Sequence, residues 1–218
     1  MTDDKMSAVR ASKRVSIAWG GRPAREDTDT VVLTINDYSL DLRVFTEGPD
    51  TGGIDWAIVA FVHSVPTQGG KPVLRWDHII DSRGGTDTGD EGAFEVLPNG
   101  DVLETGSMFN PARGKDESYE EIWRRFPVTP PAQYCVLERI DGAWGDDAVK
   151  DKRAFLGRFG PRALGVAQDG STFRAYRDEL KGGAGWSRVY EFDVGTVVPP
   201  VPVEQDAGWA VGDTVSVV

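Results

Sequence analysis

Short segments of alternating apolar and polar residues run through most of the chain. Runs rich in Val, Ile, Thr and aromatic residues, such as RVSIAWGG, DTVVLTI, IDWAIVAFVHSV and VLRWDHII, are separated by glycines and prolines. This pattern is typical of antiparallel β-strands joined by turns. The pair Asn99-Gly100 in LPNGDV adds a hairpin signal, because both residues tolerate the positive φ angles of tight turns. The sequence therefore predicts a mainly β protein.

One segment, DESYEEIWRRF from Asp116 to Phe126, predicts a short helix instead. Its apolar residues recur at positions i, i+3, i+4 and i+7 from Tyr119, which is the spacing of one helical face. Acidic residues at its start and arginines at its end also suit the helix dipole. The PVTPP stretch that follows, Pro127 to Pro131, cannot continue a helix and predicts a stiff connector between domains.

Two boundaries, after residue 12 and before Pro127, divide the chain into three parts. Residues 1–12 carry no apolar run and are predicted to be a disordered tail. Residues 13–126 and residues 127–218 each contain several strand-like segments. Because a closed sheet has no exposed edges, we expect an N-terminal and a C-terminal antiparallel β-barrel, with the short helix near the boundary.

Composition and charge narrow the classes of function. The chain has 24 Lys and Arg against 35 Asp and Glu, a net charge of −11, which argues against a nucleic-acid partner. Its single cysteine cannot form an internal disulfide, and no apolar run approaches the roughly 20 residues of a membrane span. The first residues also lack the apolar stretch of a secretory signal. We therefore expect a soluble cytoplasmic protein without a membrane span.

Familiar metal, cofactor and nucleophile motifs do not match the sequence. The glycine-rich stretch after Asp81 lacks acidic residues at the alternate positions that a calcium loop requires. One cysteine and two histidines give no zinc-ligand spacing. A nucleophile elbow, a phosphate-binding loop and a dinucleotide fingerprint are also missing. The sequence predicts neither a metal nor a cofactor.

Strand alternation selects the candidate site residues. In LRWDHIID, Trp76, His78 and Ile80 share one face, and a cavity beside that face would have an aromatic wall next to a titratable imidazole. The other histidine, His63, shares a face with Phe61 in IDWAIVAFVHSV. The predicted acid-base residues are His78, His63 and Asp81. The predicted ligand-binding residues are Trp56, Phe61 and Trp76 as walls, with Tyr119 and Trp123 closing one end of the first barrel.

The order of several blocks adds a resemblance to these inferences. RVSIAWGG, IDWAIVAF, RWDHIIDSR, DEG, LETGSMFNPARGKDESYEEIWR and QYCVLERIDG follow one another between residues 14 and 142. In this order the chain resembles the fungal Hri family, known from a casein-kinase-interacting protein of yeast. GRFGPRALGVA and GWSRVYEF extend the match more weakly into the second half. The resemblance implies two consecutive lipocalin-like, or calycin-type, barrels, and it implies no catalytic residues.

Two functional hypotheses follow. In the first, a barrel cavity binds a small apolar molecule, and the catalytic form of this hypothesis is a cofactor-free cyclase, isomerase or cycloaddition catalyst of fungal secondary metabolism. In the second, the barrels are a non-catalytic interaction module, an adaptor of the kinase-interacting family that binds a protein partner at an edge or loop. The aromatic residues are compatible with both, because they also fit an ordinary core. The barrel interior distinguishes the two.

Overall fold

The computed structural model describes residues 9–84, 89–127, 132–139, 152–182 and 185–193. Within these ranges the protein is built from antiparallel β-strands without a helix. The strands are β1 (Val9–Trp19), β2 (Thr28–Ile35), β3 (Tyr38–Phe45), β4 (Ile54–Gln68), β5 (Lys71–Asp81), β6 (Gly89–Val96), β7 (Val102–Asn110), β8 (Lys115–Arg125), β9 (Tyr134–Glu138), β10 (Lys152–Phe159), β11 (Arg162–Asp169), β12 (Thr172–Lys181) and β13 (Gly185–Phe192).

The first eight strands close into a barrel. Each strand pairs with its neighbour in the sequence, and β1 pairs with β8 to close the ring, with Ser12 opposite Arg125 and Trp19 opposite Tyr119. Antiparallel neighbours need only tight turns, and closure removes the exposed edges that an open sheet would leave. The predicted mainly β fold with a barrel in the first part of the chain is confirmed.

The predicted helix is wrong, because its residues form β8. This strand pairs with β7 on one side and with β1 on the other. Its alternate residues Tyr119, Glu121 and Trp123 face the barrel interior, so a two-residue period underlies the sequence. The glutamates and arginines resemble the solvent face of a helix only because this interior is charged. Two hydrogen-bonded ladders outweigh the local helical pattern.

In the second half of the chain the described residues form a sheet, and a second closed barrel is not seen among them. Strands β9 to β13 form one five-stranded sheet in the order β13-β12-β11-β10-β9. Much of the predicted connector, at 128–131, and of the predicted C-terminal barrel, at 140–151 and 194–218, lies outside the described residues. At the other end, β1 begins at Val9, so residues 9–12 of the predicted tail belong to a strand.

An apolar core lies between the barrel and this sheet. On the barrel side it contains the outward-facing residues Leu33, Leu40, Leu42 and Val59, all with 0% exposure. On the sheet side its fully buried members are Phe155, Leu164, Val166 and Ala175. Apolar residues buried to this degree supply most of the stability of a domain. The outer face of the barrel wall is therefore a major part of the core.

Polar contacts fix the sheet on the barrel at the edge of this core. Arg177 of β12 forms an ion pair with Asp29 of β2. The hydroxyl of Tyr190 donates a hydrogen bond to the carbonyl oxygen of Gly52, at 3.1 Å. Apolar burial binds the two parts, and these directional bonds define their orientation.

We predict that the Phe155→Ala substitution destabilises the protein by about 3–5 kcal/mol, the usual cost of emptying an aromatic core position. Phe155 is fully buried and lies against Tyr38 of the barrel, with 6.0 Å between ring centroids. Urea unfolding followed by circular dichroism measures the change. The matched control is Phe109→Ala, because Phe109 is 54% exposed, and it should change stability by less than about 0.5 kcal/mol. Equal effects of the two substitutions would contradict the shared core.

Candidate functional site

The barrel interior holds a cavity of about 90 Å³ with walls of mixed character. Part of the lining is apolar and aromatic, and part consists of charged side chains from several strands. The apolar and aromatic lining residues include Trp56, Ile58, Ala60, Trp76, Phe94, Val102, Met108, Tyr119 and Trp123, and the charged or titratable ones are Arg10, Asp41, Arg43, His78, Asp90, Glu104, Glu121 and Arg125.

Glu121 is the centre of a buried ionic network. Its Oε1 accepts a hydrogen bond from Nη1 of Arg14 at 2.7 Å and another from Nη1 of Arg43 at 3.3 Å. Arg43 also donates to Oδ2 of Asp41 through both Nε and Nη2, at 2.9 and 2.7 Å. Arg14 also donates two bonds to Glu26, at 2.7 and 3.0 Å, and one to the hydroxyl of Thr28, at 2.9 Å. Buried charges are tolerable only when paired in this way.

Glu104 lies directly opposite Glu121 in the β7–β8 pairing, and both side chains face the interior. Like charges in this position repel each other. Glu121 already holds the two arginines, and Glu104 accepts a hydrogen bond from the hydroxyl of Tyr119 at 2.8 Å. Burial, together with the Glu121 charge, raises the pKa of Glu104 to about 8. Glu104 is therefore a neutral carboxylic acid at neutral pH.

Two glycines make room for this acid and its partner. Gly92 and Gly106 are paired in the β6–β7 ladder. A Cβ at Gly92 would lie 2.7 Å from Oε1 of Glu104, and a Cβ at Gly106 would lie 2.6 Å from the Tyr119 hydroxyl. Any side chain at either position would displace these groups, so glycine is required for close approach.

His78 is held between two carboxylates at the side of the cavity. Its Nδ1 lies 2.9 Å from Oδ2 of Asp81, and its Nε2 lies 3.2 Å from Oδ2 of Asp90. Asp81 also accepts a bond from the Trp56 indole N–H, at 2.7 Å. Burial alone lowers the pKa of His78, but the hydrogen bonds to Asp81 and Asp90 outweigh it and raise the pKa to about 9. His78 is thus an imidazolium whose Nδ1 is hydrogen-bonded to Asp81 and whose Nε2 lies within ion-pair distance of Asp90.

A β-bulge brings His78 and Asp81 to the same face. The β4–β5 register shifts between Val59/Ala60, so that Ala60 is opposite His78 and Val59 is opposite Ile80. The extra residue reverses the alternation after His78. Ile80 therefore packs in the outer core rather than sharing the face of Trp76 and His78, as uninterrupted alternation predicts.

The structure brings most of the predicted site residues together. Trp56, Trp76, Tyr119, Trp123 and His78 line the cavity, and Asp81 binds His78 and Trp56 beside it.

The other two predicted site residues lie on the outer surface of the barrel. Phe61 is 37% exposed and lies against Tyr38, with 4.8 Å between ring centroids. His63 is exposed as well, with its Nδ1 3.5 Å from Asp77. They do not share a site with His78, because odd-numbered positions in this part of β4 face outwards while Ala60 and Val62 face inwards.

The charged residues that line the cavity were not predicted from the sequence. In YSLDLRVF, Asp41 and Arg43 alternate with Leu40 and Leu42, a pattern that normally indicates a solvated outer face. Here both leucines and both charged residues are buried. The available signal was opposite charge two residues apart on one face of a strand, because such residues can neutralise each other inside a barrel.

Neither a cluster of metal ligands nor a membrane-spanning helix is found in the described part of the chain. It contains no group of three or more His, Cys, Asp or Glu residues placed to hold a metal ion. None of its elements is a helix of the length and apolar character needed to cross a membrane.

Comparisons with known proteins address the family and the fold. A family model described as Protein HRI1 matches residues 10–218. A crystal structure of the uncharacterized protein YLR301w from Saccharomyces cerevisiae is similar, with a TM-score of 0.73 and 17% sequence identity. The similarity covers 95% of this chain and 94% of the yeast chain. At this identity it shows a common fold. No curated protein matches the chain.

We predict that the stability supplied by His78 is lost at alkaline pH. Its pKa is raised by folding from 6.5 to about 9, so its contribution is complete below pH 6.5 and disappears as the pH rises through 9. The free energy of unfolding, from urea titrations at pH 6 to 10, should fall by about 3 kcal/mol through this group. His78→Gln should reduce the fall by about this amount and leave the part that Glu104 contributes, and the control His63→Gln should retain the full fall. A slope unchanged by His78→Gln would contradict the imidazolium assignment.

Glu104 gives a separate pH effect. Its pKa is also raised by folding, from 4.5 to about 8, so the protonated acid favours the folded state at low pH and this advantage is lost as the pH rises through 8. Glu104→Gln should flatten the dependence of stability between pH 5 and 8, because a carboxamide cannot ionise. The control is Glu120→Gln on the exposed face of β8. If both variants keep the wild-type slope, Glu104 is not neutral.

Proposed function

The chain belongs to the HRI1 family, and we propose that its barrel binds one small amphipathic molecule in the interior cavity. The observation that carries this proposal is that the cavity lining combines aromatic and apolar side chains with charged ones. Ligand sites are typically apolar pockets with a few convergent polar groups that define orientation. A cavity needed only for packing would be filled by side chains, as protein interiors are close-packed.

The charged residues of the lining favour an amphipathic ligand over the purely apolar molecule that the sequence suggests. A purely hydrocarbon ligand would displace water from Asp41, Arg43 and Glu104 without replacing its hydrogen bonds, at a cost in affinity. An amphipathic ligand satisfies both kinds of lining. The volume of about 90 Å³ is below the roughly 150 Å³ of an engineered cavity that accepts benzene. The ligand, or the part of it that enters, is therefore small.

Catalysis without a cofactor, of the cyclase or isomerase type, is the finer form of this proposal. Such a reaction needs a proton donor beside the ligand. Glu104 and His78 both carry a proton at neutral pH and line the cavity, but the ring nitrogens of His78 are directed at Asp81 and Asp90, so Glu104 with Tyr119 supports that role better. Both ring nitrogens of His78 face carboxylates, so His78 is a positioning residue that orients Asp81 and Asp90.

The lipocalin-like character and the second barrel also belong to the proposal. The up-and-down order of eight strands is the order found in lipocalin barrels. For the second half, the support is the burial of Leu156 and Tyr176, with 0% exposure, on the sheet face that points away from the first barrel. A sheet buried on both faces is what a second barrel packed on the first requires.

The proposal predicts that the protein binds small four-carbon probes. Isobutanol, isobutylamine and isobutyrate share a branched apolar body and differ in charge. At least one should quench tryptophan fluorescence and show ligand-observed NMR transfer, with a Kd on the order of 1 mM, because five or six heavy atoms supply little more. Trp56, Trp76 and Trp123 in the lining report the binding.

A cavity-filling variant provides the control. Ala60 lines the cavity and is fully buried, so Ala60→Leu should abolish probe binding at a stability cost of about 1–3 kcal/mol. Ala112→Leu in the exposed β7–β8 turn makes the same chemical change outside the cavity and should leave binding intact. If the folded wild-type protein binds none of the three probes, the cavity proposal fails and the adaptor hypothesis becomes the better one.

A further inference from the structure

We infer that the ligand of the cavity is a small neutral alcohol, whose hydroxyl group binds to Ser12, Thr34 and Ser39. This inference rests on the proposed function and specifies its ligand. It depends on three unpartnered hydroxyl groups in the lining, on the mutual pairing of the charged groups, and on an apolar surface across the cavity. Together these features favour an alcohol over an ion.

The three hydroxyl-bearing residues lie on adjacent strands and face the interior. Thr34 of β2 is paired with Ser39 of β3, and Ser12 lies on β1, the other neighbour of β2. Leu33 and Leu40 pack in the outer core, so strand alternation directs Thr34 and Ser39 inwards. All three hydroxyl-bearing residues line the cavity, and none is more than 8% exposed. They form what we call the hydroxyl wall.

The hydroxyl groups of this wall are free to bind a ligand. None of them forms a hydrogen bond within the part of the chain that the structure describes. Nor do they belong to the described polar atoms that are fully buried without a partner, as Oδ1 of Asp41 and Nε1 of Trp123 do. Their oxygens therefore border accessible space, which at these inward positions is the cavity. Because a hydroxyl both donates and accepts, the wall suits a ligand group that does the same.

The charged groups of the lining are engaged with one another and do not call for a charged ligand. These groups are the Asp41–Arg43–Glu121 cluster, His78 between Asp81 and Asp90, and Arg10 with its electrostatic interaction with Glu104. Arg125 has interactions as well. A charged ligand would have to leave water and compete for partners that already bind each other. A neutral ligand leaves these interactions intact.

An apolar surface lies across the cavity from the hydroxyl wall. It consists of Trp76, Phe94 and Val102, on β5, β6 and β7. In the closed ring of eight strands, β6 is four places from β2 and therefore on the opposite side. A short alkyl group packed on this surface can place a hydroxyl group near Thr34. Because that hydroxyl reproduces the hydrogen bonds of the water it displaces, the alcohol gains apolar contact without losing polar contact.

The test measures binding of isobutanol, isobutylamine and isobutyrate to the full chain at pH 7.5 by ligand-observed NMR titration. Isobutanol should bind at least about tenfold more tightly than either ion, because a neutral molecule avoids the cost of removing a charge from water. A fourth probe, 1-chloro-2-methylpropane, keeps the branched body and replaces the hydroxyl by chlorine, which is a poor hydrogen-bonding group. It is the reference probe for variants of the hydroxyl wall.

Two substitutions remove a hydroxyl group with little change in side-chain size. Thr34→Val and Ser39→Ala should each lower the affinity for isobutanol about threefold to tenfold, the effect of one neutral hydrogen bond. Neither should lower the affinity for 1-chloro-2-methylpropane. The matched controls are Thr105→Val and Ser107→Ala, which make the same changes on β7 at positions outside the cavity lining and should bind isobutanol as wild type does.

Stability separates a role in binding from a role in the fold. Because the Thr34 hydroxyl has no partner among the described residues, Thr34→Val should keep or raise the urea midpoint of unfolding. A lower midpoint would show that this hydroxyl stabilises the fold, and the assignment of Thr34 to the ligand would be overturned.

The outcomes distinguish this inference from the proposed function. If isobutylamine or isobutyrate binds most tightly, the cavity takes an ion and the inference is overturned, while the proposed function stands. If isobutanol binds but Thr34→Val and Ser39→Ala keep the wild-type affinity, the cavity binds ligands and the hydroxyl wall does not receive them. If no probe binds the folded protein, the proposed function itself fails and the inference fails with it.

Discussion

The ion pairs of Glu121 with Arg14 and Arg43 are the contacts on which the barrel interior depends. They connect β8 to β1 and to β3, so one carboxylate joins the closing seam of the barrel to a strand two places beyond β1. Removing one partner would leave an uncompensated buried charge, which costs about 3–5 kcal/mol. Burial and the charge of Glu121 together raise the pKa of the opposite carboxyl, Glu104. Arg43 binds Oδ2 of Asp41, and Oδ1 of the same carboxylate is buried without a hydrogen-bond partner.

The barrel wall reverses the usual arrangement of a small β domain. Its outward residues, such as Leu40 and Val59, are completely buried against the second sheet, while its inward residues include Asp41 and Arg43. Stability therefore comes largely from the outer face, through apolar burial. Because the interior need not supply most of this apolar burial, its polar groups can surround a cavity. A ligand site inside this barrel requires the second half of the chain as its support.

Much of the fold followed from the sequence because strands keep a two-residue period whichever face is apolar. DTVVLTI is a strand, although its Val31, Leu33 and Ile35 pack outwards and not into the barrel. The helix predicted over residues 116–126 was wrong because the barrel interior is charged. Glu121 and Arg125 occupy inward positions, so β8 lacks the apolar alternation that indicates a strand.

The candidate site was recovered in part. Trp76 and His78 were found together because they are two residues apart, within uninterrupted alternation. Glu104 could not be found in this way, because its state depends on Glu121, seventeen residues along the chain and opposite it only in the folded ladder. The contact of Asp81 with His78 likewise depends on a bulge whose position is set by pairing with β4. Local sequence carries no direct sign of either relation.

The separation of Arg14 and Glu121 along the chain has a consequence for how the protein is made. They are 107 residues apart, so during synthesis Arg14 leaves the ribosome long before its counter-charge exists. Before β8 is synthesised, the incomplete barrel has a charged inner face that stays hydrated. The leucines of its outer face remain exposed until β10 to β12 are present. Contacts of such long range form slowly. The incomplete barrel therefore exposes apolar residues on its outer face and hydrated charges on its inner face. Association between incompletely folded chains is expected to begin at the outer face.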